Sequence, residues 1–517
     1  MRALLLIGLV AACGEPVVVH PMHETLRQEL RPTDTSVAQM FRFDQAETVE
    51  RFGVDGGEFV VHFTRAGRNA VPAADVNDSG VPDFVESVAR VYEDVGATYR
   101  QWGFRQPLRD GLVASNGGDD RFDVYLLDFA RSSDGAFRVD DCPAGGERCL
   151  GYMVQENDFV GYGYPSLTEA TRILGSHEFF HAVQAAYDSN QSVVVSEATA
   201  VWATEQFDPA SDDFENFIDA YLSRPDRSLD SAPTGPVPAS AYGTAIFFRF
   251  LSERHGPALV KALWEHLENG QGFDSEPADK ANPTWLVQLD ALLRADYQSS
   301  FAAEFEQFAT WNLSTGAAAD PSKAYANGAQ YPSPAVTAVS APYRVFPMRV
   351  FYASTQYLSV PVAGRAAMTA ALFDDPDLPG DETQGLVLVG ATRRAGRNVE
   401  VKRLSQPLDT STADTFIVAV VNTARAGVGA QLSKRPGLCI GTEAEVQRCL
   451  DPNVDAGTPA PDAGVTSLPS SSEQPLPAAR AGCGCGAGDG LLPLLGLALG
   501  LLRRRVQSEQ RTKPEAP

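Results

Sequence analysis

His177 and His181 stand four residues apart in the run His177-Glu178-Phe179-Phe180-His181. On a helix both imidazoles leave one face, a turn apart, and can grip a single ion, for which zinc is the natural guest. Glu178 sits beside them, where a carboxylate can take a proton from an activated water as it attacks a carbonyl. A catalytic zinc ordinarily has three protein ligands and a water, so the run supplies two ligands and a base and leaves one ligand to be found. Glu197, the first acid on the next helical segment, is the candidate third ligand, with Asp188 and Glu205 as rivals. Glu205 lies two turns beyond Glu197 and either shares its face as an outer partner of the site or is simply solvated. Standing alone, the same histidine spacing also occurs on unrelated helices as a satisfied core pair.

The elements that must position these groups are well signalled. Ser166-Leu167-Thr168-Glu169 reads as a capping box, and Leu167, Ala170, Ile173, Leu174 and Phe180 recur at helical spacing up to Tyr187-Asp188. A second helix is expected over Val193–Phe207, whose Ala198-Thr199-Ala200-Val201-Trp202 stretch lets it approach the first closely. This combination, HEFFH and then a helix carrying SEATAVW, resembles the gluzincin metallopeptidases, the thermolysin-like group with two histidines and one glutamate. Together with DVNDSGVPDFVE and GGDDRFDVYLLD it resembles a secreted metalloprotease family of myxobacteria, over roughly residues 58–315. The resemblance implies zinc on His177, His181 and Glu197, with Glu178 as general base. Two departures stand out: the loop between the helices is shorter than in thermolysin, and no acid stands four residues after Glu197, where that group places a carboxylate that orients a histidine. The identity of the outer partner therefore does not carry over.

Between two expected strands, Asp75, Asn77, Ser79, Asp83 and Glu86 fall at positions 1, 3, 5, 9 and 12 of a loop with Gly80 at position 6, the EF-hand calcium spacing, and Val81 would add its carbonyl. Pro82 departs from the pattern, so a solitary calcium loop over 75–86 is expected rather than a paired EF-hand. The competing reading is a turn in which Asp83 caps the helix Phe84–Trp102 and Glu86 completes a capping box.

The formal net charge of −24 repels polyanions and argues against nucleic-acid partners. Residues 1–12 are a short basic start and an apolar run ending in Val10-Ala11-Ala12-Cys13, which resembles a lipobox with Cys13 as the lipidated residue; a plain secretory signal is the alternative. Residues 451–481 lack periodicity and read as a disordered linker. Residues 482–505 carry Cys483 and Cys485, an apolar stretch and Arg503-Arg504-Arg505, resembling a myxobacterial C-terminal sorting signal of the MYXO-CTERM type; an ordinary membrane tail is the alternative. Both ends point to export and to an outer-membrane, cell-surface lipoprotein. The remaining cysteines pair naturally as Cys142–Cys149 and Cys439–Cys449, each closing a short loop, as disulfides do in an oxidising compartment. Neither pair has the C-x-x-C spacing of a zinc site.

Along the chain, residues 13–55 read as a leader with one helix over Ser36–Arg51. Strands are expected at Glu58–Thr64, Leu112-Val113 and Phe122–Leu127, with His62 structural rather than a ligand. Helices follow at Tyr242–Arg254, Pro257–Leu267, Trp285–Leu293 and Phe301–Trp311. Tyr242 either reaches the cleft to stabilise an oxyanion or is buried in this lobe. Alternating runs from Tyr343 to Leu432 read as a β-sandwich. The expected architecture is an α+β zincin-like catalytic domain over residues 56–330, a mixed sheet on the metal helix plus a helical lobe, followed by an all-β sandwich-like domain over 335–437. The expected function is a monomeric zinc endopeptidase with a structural calcium and a polypeptide substrate; a catalytically inactive surface binding protein on the same fold is the alternative.

Overall fold

Phe59–Phe63 is buried at every position and Leu150–Glu156 likewise, the texture of strands covered on both faces. In the computed structural model they lie inside a mixed five-stranded sheet formed by β1 (Glu50–Phe52), β2 (Phe59–Phe63), β3 (Phe122–Leu127), β4 (Gly135–Asp141) and β5 (Leu150–Glu156), in the order β1-β2-β3-β5-β4. The strands β2, β3 and β5 run parallel, while β1 and β4 are antiparallel edges. The structure describes residues 31–451 apart from 35–38, 40, 112, 114–115, 144–146, 212, 231–238, 269–283, 376–379 and 426–431. The expected signal segment 1–12, Cys13, the expected linker beyond residue 451 and the expected sorting signal 482–505 lie outside the described residues.

Two helices, α1 (Asp83–Gln101) and α2 (Leu167–Ala185), cover one face of this sheet. Phe179 of α2 drives its ring against Phe59 and Phe122, with centroids 5.1 and 5.2 Å away. Phe180 instead meets Tyr99 and Phe104 at 5.3 and 5.2 Å. These two large apolar anchors set the rotation of α2 and so decide which way its neighbours at 177, 178 and 181 point.

The opposite face is closed by the N-terminal segment. Phe43 is buried with Tyr125, Leu127, Phe129 and Tyr152, and Glu50–Phe52 pairs with β2. The described residues of 31–52 thus pack onto the folded body, and the expected helix over 36–51 does not form in its described part. Val49 and Phe52 turn onto apolar neighbours, and the backbone of Glu50–Phe52 is claimed by the sheet, a tertiary pairing that overrides a weak helical pattern. Of the strand expected at Leu112-Val113, Leu112 lies outside the described residues and Val113 sits in a bend, its N–H donated to the Asp110 carbonyl at 2.7 Å.

Beyond α3 (Val193–Phe207), six helices among the described residues form a lobe packed on α3: α4 (Asp213–Leu222), α5 (Ala239–Gly243), α6 (Ala245–His255), α7 (Ala258–Leu267), α8 (Trp285–Asp296) and α9 (Phe301–Asn312). The single helix expected over Tyr242–Arg254 is broken at Thr244, whose hydroxyl bonds the Ser240 carbonyl. The C-terminal region is β-rich, with two mostly antiparallel sheets over one apolar core that includes Leu358, Val360, Met368, Phe416, Val418 and Ile440. One of these sheets also buries its outer face: Tyr357, Val389 and Ile417 join the core of the helical lobe, and the Tyr357 hydroxyl donates to the Ala309 carbonyl at 2.9 Å. Cys142–Cys149 and Cys439–Cys449 are both disulfide-bonded, the second tying Gly437–Gly441 to the helix Glu443–Leu450.

Candidate metal centre

Ser166 starts α2 by accepting the Glu169 N–H at 3.1 Å, and Ser192 starts α3 by accepting the Val194 N–H at 3.3 Å. Between them the chain turns within a few residues, so the helices lie side by side and antiparallel. Arg172 near the start of α2 meets Asp208 after α3, and Gln184 near its end meets Ser196 and Thr199 near the start of α3. That pairing places Glu197 opposite the two histidines.

His177, His181 and Glu197 converge. The Nε2 atoms of the two histidines are 3.2 Å apart, and Glu197 Oε2 lies 3.1 Å from His177 Nε2 and 3.5 Å from His181 Nε2. Zinc bonds of about 2.0–2.1 Å in a tetrahedron set ligand atoms about 3.4 Å apart, so the three donors already occupy the corners of such a figure. All three residues are buried, and among the described residues they are the group of this kind with metal-binding spacing.

The hydrogen bonds around His181 decide its tautomer. Gln184 donates its amide N–H groups to the Ser196 carbonyl at 2.8 Å and to Thr199 Oγ1 at 3.0 Å, which leaves Gln184 Oε1 to accept from His181 Nδ1 at 2.8 Å. Thr199 Oγ1 is itself held by a donated bond to the Val195 carbonyl and one accepted from Trp264 Nε1 at 3.1 Å. With its proton on Nδ1, His181 presents the Nε2 lone pair to the centre. Lone pairs and a carboxylate facing one point need a cation between them. Burial works against a charged His181, yet the Glu197 carboxylate overrides it and lifts the His181 pKa to about 9. Burial likewise opposes the Glu197 anion, and the two histidines hold it well below the usual carboxylate range all the same. The donor set therefore fits a divalent cation, which would replace that proton.

Glu178 is fully buried beside the centre, and its Oε2 accepts the Phe137 N–H of the edge strand β4 at 3.0 Å. Asp134, just before β4, is buried too; desolvation raises its pKa to about 6, with the Tyr164 hydroxyl, 2.6 Å away, pulling down and Glu178 pushing up. Tyr242 is 6 % exposed and takes the buried one of its two expected placements: it is packed in the lobe against Phe217, with its ring centroid 5.9 Å from that of His177.

Of the rival ligands, Asp188 is turned to its own loop, accepting from Asn190 N at 2.9 Å and Gln191 Nε2 at 2.8 Å. Glu205 lies further along α3 and is 4 % exposed. Burial pushes its pKa up to about 8 against the pull of Arg249, whose Nη1 is 3.6 Å away. Glu205, Thr204, Val201, Ile173 and His177 line one small cavity between α2, α3 and α4.

The loop from Asp75 to Glu86 is held by its own oxygens. Asp75 accepts from the Ser79 and Gly80 N–H groups at 3.0 and 2.9 Å, Asn77 Oδ1 accepts from Ser79 N at 3.0 Å, and Ser79 Oγ bonds the Val81 carbonyl at 3.2 Å. The capping box of the competing reading is absent: Pro82 is the N-cap of α1, while Asp83 and Glu86 turn back into the loop to Val76 N and Asn77 Nδ2. His62 is structural, stacked on Tyr125 at 4.3 Å and bonded to Asp123 at 2.6 Å.

Sequence reasoning missed Gln184, Ser196, Thr199, Asp134 and Phe137. Gln184 had a signal, since it lies one turn beyond His181 on the same face. Gly135–Asp141 alternates too briefly to announce an edge strand, and Phe137 contributes a backbone N–H that any residue but proline would carry. The chain matches no protein-family model and no curated protein.

Proposed function

We propose that this protein is an exported zinc endopeptidase, with His177, His181 and Glu197 holding zinc and Glu178 serving as general base. The observation that carries the reading is the spacing of the three donor atoms, 3.1, 3.2 and 3.5 Å, next to a fully buried carboxylate. When bound there, zinc supplies a Lewis acid for a carbonyl and lowers the pKa of a water molecule to about 7. His181 is locked by Gln184 with Nε2 inward, and Glu197 balances the charge. Glu178, pinned by the Phe137 N–H, is placed to accept a proton and return it to a leaving amine. The outer side of β4 ends the sheet, so an extended polypeptide added there would run past Glu178; this favours a peptide over other amide substrates.

Glu178→Gln should retain zinc, measured by elemental analysis, and lose casein cleavage on a zymogram. Full activity in that variant would refute the assignment of the base. One alternative has its own support in the depth of the site, where His177, Glu178 and Glu197 are all at most 2 % exposed. On that reading the metal is structural and the protein is an inactive surface-binding or adhesion protein. Zymography of the wild type with and without a chelator separates the two.

Display on the outer membrane through Cys13 and the C-terminal signal belongs to the same proposal, and two disulfides are compatible with export. Among the described residues no helix is long and apolar enough to cross a membrane. Calcium in the loop of Asp75, Asn77, Ser79, Val81, Asp83 and Glu86 rests on the sequence spacing, and the same elemental analysis tests it.

A further inference from the structure

We propose that Glu205 is the positioning residue for His177, acting through one water molecule held in the cavity between α2, α3 and α4. The inference rests on the zinc reading above and deepens it. A histidine that binds metal through one ring nitrogen ordinarily donates the other N–H to a carboxylate, a carbonyl or a water, which fixes its tautomer and ring orientation. His181 has that partner directly, in Gln184 Oε1 at 2.8 Å. His177 does not: its Nε2 faces Glu197 and His181, and its Nδ1 has no hydrogen-bond partner among the described residues. The residue one turn after Glu197 on the shared face is Val201, which cannot accept a hydrogen bond.

His177 and Val201 both line the cavity, and Glu205 lies one further turn along the same side of α3 and lines it too. The cavity has room for about one water molecule and carries the polar groups such a water needs. Glu205 is 4 % exposed, accepts no hydrogen bond among the described residues, and meets its one cation, Arg249, only at 3.6 Å. Arg249 is closer to Glu253, at 2.7 Å. A carboxyl group this deeply buried calls for a hydrogen-bond partner, whichever protonation state it holds. A water accepting from His177 Nδ1–H and donating to Glu205 satisfies both side chains at once and leaves the His177 Nε2 lone pair for the metal.

The test is the zinc dissociation constant of the full chain, measured by competition with a chromogenic chelator, together with the melting temperature of the zinc-free protein. Glu205→Gln and Glu205→Ala should each weaken zinc binding by roughly 10–100-fold, the usual consequence of losing such a partner. Arg249→Lys, which alters the ion pair and keeps the carboxylate, should bind zinc as the wild type does. A Glu205 that merely braces α3 against α6 would move the melting temperature and leave the zinc constant in place. A folded Glu205→Gln that binds zinc within twofold of wild type overturns this inference alone. So does an Arg249→Lys that loses zinc as severely as Glu205→Gln. A wild type that takes up no zinc overturns the metal reading and this inference with it.

Discussion

The sheet separates two buried polar clusters that solve one problem in opposite ways. Beneath it, Arg31 brings its own cation to three aspartates: its guanidinium reaches Asp110, Asp123 and Asp140 at 2.6, 2.6 and 2.5 Å, and Asp123 also takes His62. Above it, His177, His181 and Glu197 converge with no arginine or lysine among them. Guanidinium charge persists at any physiological pH, so the lower cluster keeps its cation whenever the protein is folded, although the buried Asp110 Oδ1 has no hydrogen-bond partner among the described residues. The upper one is completed by a proton on the histidines or by a metal, and only the second leaves a coordination position for chemistry. Burial of acids is common to both clusters; what distinguishes them is a resident guanidinium in one and none in the other.

The comparison can be broken first at Arg31. Arg31→Met should leave three aspartates buried without their cation and destabilise the protein by about 3–5 kcal/mol in chemical denaturation. A loss below about 1 kcal/mol would mean that the lower cluster is not self-contained. Desolvation already holds the Asp110 pKa up at about 6 beside Arg31, so the charges there depend on the guanidinium.

A smaller effect is expected above the sheet. Stripping zinc from a protein held at a hundredfold excess over its dissociation constant should reduce stability by about 2.7 kcal/mol, seen as a fall in melting temperature that added zinc reverses. A melting temperature indifferent to chelator would remove the distinction between the clusters. The smallest expected effect sharpens it: Gln184→Leu takes away the acceptor that orients His181 and leaves Thr199 and the Ser196 carbonyl short of a donor. It should weaken zinc binding about tenfold and cost about 1–3 kcal/mol of stability. If the metal-free variant is as stable as wild type and binds zinc equally, the polar frame around His181 is dispensable.

Much of this architecture was legible beforehand, and the failures have physical reasons. Phe122–Leu127 was found at its expected bounds and Phe59–Phe63 within one residue at each end, because both runs are rich in aromatic and β-branched residues, with His62 and Asp123 as the polar exceptions. The α2 and α3 helices were legible from their caps and apolar spacing. The edge strand β4, its partner β5 and the helix α4 were not foreseen, although Phe214, Phe217, Ile218 and Tyr221 do recur at helical spacing. The helix expected in the N-terminal segment was misread because the segment's composition is polar and aperiodic; Arg31 and Phe43 hold it through long-range contacts that no local pattern reveals. The β-rich end was read from its alternation, but not that one of its sheets is apolar on both faces and seals the helical lobe.

What the sequence by itself determined is the inventory and the local geometry: two histidines and a base at helical spacing, an acid on the next helix, apolar faces that force those helices together, and cysteines close enough to bond. These follow from periodicities of a few residues. Only the tertiary structure decided which acid of three faces the histidines, that Gln184 rather than a carboxylate holds His181, that β4 lends a backbone N–H to Glu178, and that Glu205 shares a cavity with His177. Those relations depend on how helices are rotated and how far apart their axes lie, and such distances are set by the packing of Phe179, Phe180 and Trp202 across the whole core, far from the groups they align.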